Sequence, residues 1–137
     1  MLHEIPVRYE TPQGFNCHLD LAVSSVLDER GQPFEYQESR EGVYKRLKIW
    51  VPGAHNDIWT VHNAYSVENA PRFTDPGDSD FEAGYDELYW NVTGDGWEIP
   101  IQVATARVLL PPEVTGLAAR VYTGSLSSTS SVSVVTK

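Results

Sequence analysis

Two adjacent carboxylates, Asp86 and Glu87, stand near the start of a run over residues 85–100 that reads YDELYWNVTGDGWEIP. A pair of carboxylic acids can cleave a glycosidic bond, one as general acid and the other as nucleophile. Neighbours on a β-strand point to opposite faces, so these two cannot easily flank one bond, and a hydrolase would need a partner such as Asp75 or Asp95. The spacing favours solvated residues at a strand start, or acceptors of hydrogen bonds from loop amides.

The segment before this run carries four carboxylates, closely spaced as oxygen ligands of calcium would be: Asp75, Asp78, Asp80 and Glu82. The EF-hand loop pattern is missing, because the closing Glu follows too soon. The four histidines are scattered, and no pair has the spacing of a zinc protease motif. We therefore expect an exposed acidic loop, and neither a bound metal ion nor a cofactor.

Aromatic side chains suggest a different chemistry for the same run. The chain has four Trp and seven Tyr, and such rings either stack on sugars or fill the core of a β-sheet. A row of solvent-facing rings would favour a carbohydrate- or cell-wall-binding module, whereas burial would favour a structural role, which we predict for Trp90 or Trp97. The candidate binding residues of the run are Asp86, Glu87, Trp90, Asn91 and Trp97.

A β-hairpin is the element that would position these side chains. Residues 88–93 alternate with the period of a strand, and residues 97–103 do so again. The turn at 94–96 contains two glycines, which adopt the positive φ that a tight reversal needs. We predict a hairpin with Trp90 and Trp97 close to its bend.

The same period-two alternation recurs along the chain. It is present in residues 4–10, 15–23, 43–51, 57–67, 87–93, 97–110, 117–124 and 131–135. Gly- and Pro-containing turns separate these segments, and a helical turn is expected only near residues 79–84. The pattern predicts an all-β fold, an immunoglobulin-like antiparallel β-sandwich of about seven to nine strands. We assign residues 1–124 to the sandwich and 125–137 to a Ser/Thr-rich segment with a possible last strand.

The net charge of −9 excludes one class of partner. Residues 66–100 hold nine acidic side chains and one basic one, and so carry nearly all of this charge. A surface this acidic repels nucleic acid, which we exclude as a ligand. Cys17 is the single cysteine, so no intrachain disulfide forms, and no segment approaches the roughly 20 apolar residues of a membrane span.

Several of these residues together resemble the characteristic run of the DUF2207 family of bacterial membrane proteins. The matching positions are Asp86, Glu87, Leu88, Tyr89, Trp90, Asn91, Gly94, Trp97, Pro100 and Ile101, followed by Leu110 and Pro111. Upstream, residues 47–75 are similar to the family pattern in order, although Trp50 stands where Gly is common and Trp59 where Tyr is common. The resemblance covers roughly residues 4–124 of the chain.

The resemblance implies the ectodomain of a membrane-anchored protein, of β type and on the extracytoplasmic side, and it implies no activity. Because the sequence offers no convincing catalytic set, we expect a non-catalytic interaction or sensing domain rather than an enzyme. Its expected partner is an unknown protein or cell-envelope component. A carbohydrate- or cell-wall-binding module is the alternative, and a hydrolase using Asp86 or Glu87 comes third.

Overall fold

The structure is a computed structural model that describes residues 1–10, 14, 16–74, 85–94, 96–119 and 121. All regular secondary structure in these residues is strand, which confirms the predicted all-β class. The nine strands are β1 (Leu2–Pro6), β2 (Arg8–Glu10), β3 (Asn16–His18), β4 (Asp20–Leu27), β5 (Glu35–Glu41), β6 (Tyr44–Trp50), β7 (His62–Glu68), β8 (Arg72–Thr74) and β9 (Tyr85–Glu87). The described residues contain no helix of the length and hydrophobicity needed to cross a membrane.

The largest sheet has three antiparallel strands in the order β1-β6-β5. Alternation along β6 explains its orientation, because Leu47 and Ile49 are fully buried while Lys48 and Trp50 are exposed. β1 follows the same rule, and His3 lies opposite Leu47 in the register. The sheet therefore turns one apolar face inward and one polar face outward.

A second antiparallel pair, β4 with β7, supplies the other side of the core. The register of this pair shifts between Val23 and Ser25. The buried apolar residues come from both sheets and their connections: Ile5, Val7, Leu19, Leu21, Val26, Phe34, Leu47 and Ile49. Each such side chain contributes roughly 1.5–3 kcal/mol through burial, so this core is consistent with the predicted sandwich.

Two short ribbons complete the first of two compact units, Met1–Thr105 and Ala106–Lys137. β2 pairs with β3, and β8 pairs with β9, both antiparallel. In the second unit, residues 106–119 and 121 are described, are exposed and contain no strand. A turn there is closed by the Val114 amide, which donates to the Pro111 carbonyl at 3.1 Å.

The strand predictions were partly wrong. Residues 15–23 contain two strands instead of one, the strand expected over 57–67 begins only at His62, and β5 was not predicted. Neither 88–94 nor 96–110 contains a strand, so the predicted hairpin is wrong. Pro100 lacks the amide proton that such a ladder would use. The expected helical turn at 79–84 and the strand at 131–135 lie outside the described residues.

Candidate functional site

A small groove with a volume of about 150 Å³ opens at one end of β1. Ile5 and Leu19, which are nearly fully buried, form its deepest described part. The remaining lining comes from the start of the chain, the β7–β8 connection and the residues after β9: Pro6, Tyr9, Ala70, Arg72, Tyr89, Trp90 and Asn91. We call this set the aromatic groove, because three of its side chains are aromatic rings.

Trp90 is held in place from the side of β7. Its indole Nε1 donates a hydrogen bond to the Tyr65 hydroxyl at 2.9 Å, and the two ring centroids are 5.8 Å apart. Trp90 also packs against the core cluster and is half-buried. Tyr89 is the contrast, because 64% of it is exposed. Of these two neighbouring rings after β9, Trp90 is therefore anchored and Tyr89 faces solvent.

Arg72 places a cation at the aromatic groove. Its guanidinium carbon lies 4.9 Å from the ring centroid of Tyr9, within the range of a cation–π contact. Arg72 also lies opposite Glu87 in the β8–β9 register. It is the single base of the acidic segment 66–100, so the groove presents a positive group within an acidic part of the chain.

The two adjacent carboxylates, Asp86 and Glu87, do not converge on one point. Asp86 and Glu87 are both exposed on β9, where Asp86 lies opposite Phe73. As neighbours on a strand they point to opposite faces, and neither lines the described part of the groove. Asp86 and Glu87 by themselves therefore do not form the pair of carboxyl groups that flanks one bond in glycoside hydrolysis, and the candidate partners Asp75 and Asp95 lie outside the described residues.

Residues 91–94 and 96–97 lie over β1 and are called the β1 clasp. Within the clasp, Asn91 Oδ1 accepts a hydrogen bond from the Gly94 amide at 3.1 Å, and the Trp97 indole donates to the Thr93 carbonyl. Gly94 is buried with φ of +71°, and a Cβ built on it would stand 2.3 Å from the Glu4 carbonyl oxygen. These contacts replace the strand pairing of the predicted hairpin. Hydrogen bonds from side chains within the clasp, together with close packing on β1, hold the segment in place.

His3, one of the four histidines scattered along the sequence, is the residue under the clasp. It is 4% exposed, and its Nδ1 lies 3.2 Å from Asn63 Nδ2 of β7. Its ring centroid is 5.7 Å from that of Trp97. Burial lowers the pKa of His3 from its ordinary value. The available signal was its phase, since His3 alternates with Ile5 and Val7 on the apolar face of β1.

A second cavity lies at the β2–β3 ribbon, with a volume of about 400 Å³. Its described lining consists of Arg8, Asn16, Cys17 and His18. His18 Nε2 lies 3.3 Å from Arg40 Nη1 and 3.5 Å from an Asp20 carboxylate oxygen. Cys17 is a half-buried free thiol.

Four carboxylates were the metal candidates of the sequence. Asp75, Asp78, Asp80 and Glu82 all lie outside the described residues. In the described part of the chain, no three His, Cys, Asp or Glu side chains are grouped so that they could hold a metal ion.

Of the five candidate binding residues, the structure brings Trp90 and Asn91 to the groove, leaves Asp86 and Glu87 on exposed β9, and puts Trp97 in the clasp.

Comparison with known proteins places the chain in a family. The family model described as "Predicted membrane protein (DUF2207) N-terminal domain" matches residues 4–137. No curated protein matches the chain, and no solved structure does. The match spans almost the whole chain and includes the aromatic groove and the β1 clasp. The chain therefore belongs to the DUF2207 family, as the N-terminal domain of a predicted membrane protein.

Proposed function

We propose that the chain is a non-catalytic interaction or sensing domain on the extracytoplasmic side of its membrane protein, with the aromatic groove as the binding surface. The observation that carries this proposal is the combination of a solvent-facing Tyr89 and the Arg72 cation above a buried apolar floor. Exposed aromatic rings beside an arginine are the residue types that dominate binding energy in protein interfaces. The family description supports association with a membrane.

The dimensions of the groove limit its ligand. Pockets that enclose a drug-sized molecule or cofactor are about 300–1,000 Å³, whereas this groove has about 150 Å³. A single apolar side chain of a partner fits this volume better than a whole cofactor does. Arg72 favours a carboxylate next to that side chain. We infer that the preferred partner segment carries an apolar residue beside an acidic one.

The polar groups at the groove support a non-catalytic role. Its described lining provides one guanidinium, one amide, the Trp90 indole N–H and two tyrosine hydroxyls, with no carboxylate, histidine or thiol side chain. Carboxylates, histidines and thiols supply most catalytic acids, bases and nucleophiles, and tyrosine hydroxyls do so less often. The described groove is therefore better suited to holding a ligand than to transforming one.

The proposal is tested with a peptide array in which an apolar residue is followed by Glu or by Gln. We expect Tyr89→Ala to weaken binding of both series about tenfold or more, and Arg72→Gln to weaken only the Glu series. Trp50→Ala is the matched control, because Trp50 is also a partly exposed aromatic but lies on the outer face of β6. Peptides that bind all three variants equally, or no peptide binding at all, would refute the groove as a peptide site.

A carbohydrate ligand is the second candidate, favoured by the three rings around one groove. Sugar rings stack on aromatic faces, and Tyr89 offers an exposed one. A glycan array with the same variants separates the two candidates. Glycan binding that is lost in Tyr89→Ala and kept in Trp50→Ala would replace a protein partner with a sugar. The hydrolase alternative would require turnover of such a glycan that disappears in Asp86→Asn or Glu87→Gln.

A further inference from the structure

His3 is a titratable side chain enclosed by three separate elements. Leu47 of β6 lies opposite it, Asn63 of β7 contacts one ring nitrogen, and Trp97 of the β1 clasp lies against the ring. We propose that the β1 clasp is a pH-sensitive latch, and that uptake of a proton by His3 releases the clasp from β1. This inference goes beyond the proposed function and does not depend on what the groove binds.

The hydrogen bond to Asn63 assigns the proton of the neutral ring. An amide nitrogen only donates, so Asn63 Nδ2 at 3.2 Å requires Nδ1 of His3 to accept, which leaves the proton on Nε2. Nε2 has no hydrogen-bond partner in the described structure and lies against Gly94, 2.9 Å from where a Cβ would stand. A second proton would enter at Nδ1 and would set donor against donor.

Rotation of the Asn63 amide would not remove the free-energy cost of protonating His3. Asn63 Oδ1 is buried and lacks a partner among the described residues, so after rotation it would accept from a protonated Nδ1. The imidazolium charge would still be buried, with its Nε2 proton held against the clasp. Burying a charge without an opposite partner is far more costly than burying a polar group. Opening the clasp exposes this side of the ring to water and relieves both problems.

Among the described residues, no charged group on the surrounding elements provides a counter-ion for protonated His3. Glu4 alternates with His3 along β1 and is paired with Arg46, and its Oε2 lies against Gly96 of the clasp, 2.7 Å from where a Cβ would stand. The other charged or titratable groups near His3 on these elements are engaged or exposed. The Met1 ammonium bonds the Ile49 carbonyl, Lys45 bonds Glu38 and the Leu21 carbonyl, and the Tyr65 hydroxyl bonds Trp90. The exposed ones are Lys48, His62, Glu68 and Glu98. Asp95, between the two clasp glycines in sequence, lies outside the described residues, and a variant tests it below.

The direction of the pH effect follows from burial. The folded pKa of His3 lies below the ordinary value of 6.5, so the folded state binds fewer protons than the unfolded one. His3 therefore does not reduce the free energy of unfolding above about pH 6.5. That free energy decreases as the pH falls from there toward the folded pKa of His3. The clasp opens before the sheets do, because it contains no strand ladder and local openings cost less than global unfolding. Asn91 belongs to both clasp and groove, so opening also changes the groove.

The test follows the His3 ring and the clasp separately by NMR during a titration from about pH 7.5 to about 4.5, which brackets an ordinary histidine pKa. The ¹⁵N shifts of the ring should show the proton on Nε2 at high pH. The indole N–H signal of Trp97, which donates to Thr93, should move with the same midpoint, below about 6.5. A Trp97 signal that stays constant while His3 titrates would overturn the latch.

Variants decide which residue drives the change. His3→Gln keeps a neutral polar side chain, and its Trp97 signal should lose the pH-dependent shift, whereas the His62→Gln control on the exposed side of β7 should keep it. Asp95→Asn should leave the midpoint unchanged; a fall in the midpoint would show that Asp95 neutralises protonated His3 and would refute the mechanism. If His3→Gln does not fold, the ring titration of the unmodified chain still decides, because a midpoint above 6.5 contradicts the proposal.

Discussion

Gly94→Ala tests whether the β1 clasp is held by close backbone approach. The residue has φ of +71°, and the added Cβ would stand 2.3 Å from the Glu4 carbonyl oxygen and 2.8 Å from His3 Cδ2. The positive φ alone costs an alanine about 1–2 kcal/mol. The contact adds roughly 1–3 kcal/mol, because the oxygen belongs to β1, which pairing with β6 holds in place. We expect a total loss of about 2–5 kcal/mol.

Gly53→Ala is the matched control for this prediction. Gly53 has nearly the same φ, +70°, but no heavy atom lies within 4 Å of its Cβ position. Its substitution should therefore cost only the conformational part, about 1–2 kcal/mol. Urea unfolding followed by tryptophan fluorescence gives both free energies, with an unchanged m value as the check that the denatured state is comparable. Equal losses in the two variants would refute the packing of the clasp on β1.

Three further results are expected. Trp90→Phe and Tyr65→Phe should each cost about 1 kcal/mol through the lost hydrogen bond, and the double variant should cost less than their sum; additive losses would contradict the 2.9 Å contact. Lys45→Met should lower stability by about 1–3 kcal/mol, because the Leu21 carbonyl loses its donor; unchanged stability would contradict that bond. Millimolar calcium should not raise the melting temperature, and a rise of several degrees that is lost in Asp78→Ala would show a calcium site in the acidic loop.

Strands with a strong apolar alternation could be predicted from the sequence, and β5 could not. Leu47 and Ile49 of β6 recur every second residue on an inward face, a local pattern that needs no knowledge of the partner strand. β5 reads EYQESRE and has a single large apolar residue, Tyr36. It is a strand because it lies at the edge of the sheet, where β6 supplies its backbone hydrogen bonds and solvent covers much of the rest.

The run after β9 shows the reverse case, in which a correct local pattern predicted the wrong partner. Trp90 and its neighbours alternate as a hairpin strand would, and the glycines have the positive φ that was expected. The segment nevertheless contacts β1 and β7, because Trp90 bonds the Tyr65 hydroxyl and Gly94 packs against the Glu4 carbonyl, whereas a ladder would lack the amide proton of Pro100. A two-residue alternation indicates which side chains share one face of a strand. It does not indicate which element of the fold packs against that face.

The sequence by itself determined the all-β class, the acidic character and membership of the DUF2207 family, since these depend on composition, short-range periodicity and a conspicuous run of residues. Tertiary structure alone decided the candidate sites. His3 meets Asn63 across 60 residues of chain, and Trp90 meets Tyr65 across 25. The partner of a buried polar group is set by which strands fold together, so its pKa and its capacity to act as a switch arise only when the sheets and the clasp enclose it.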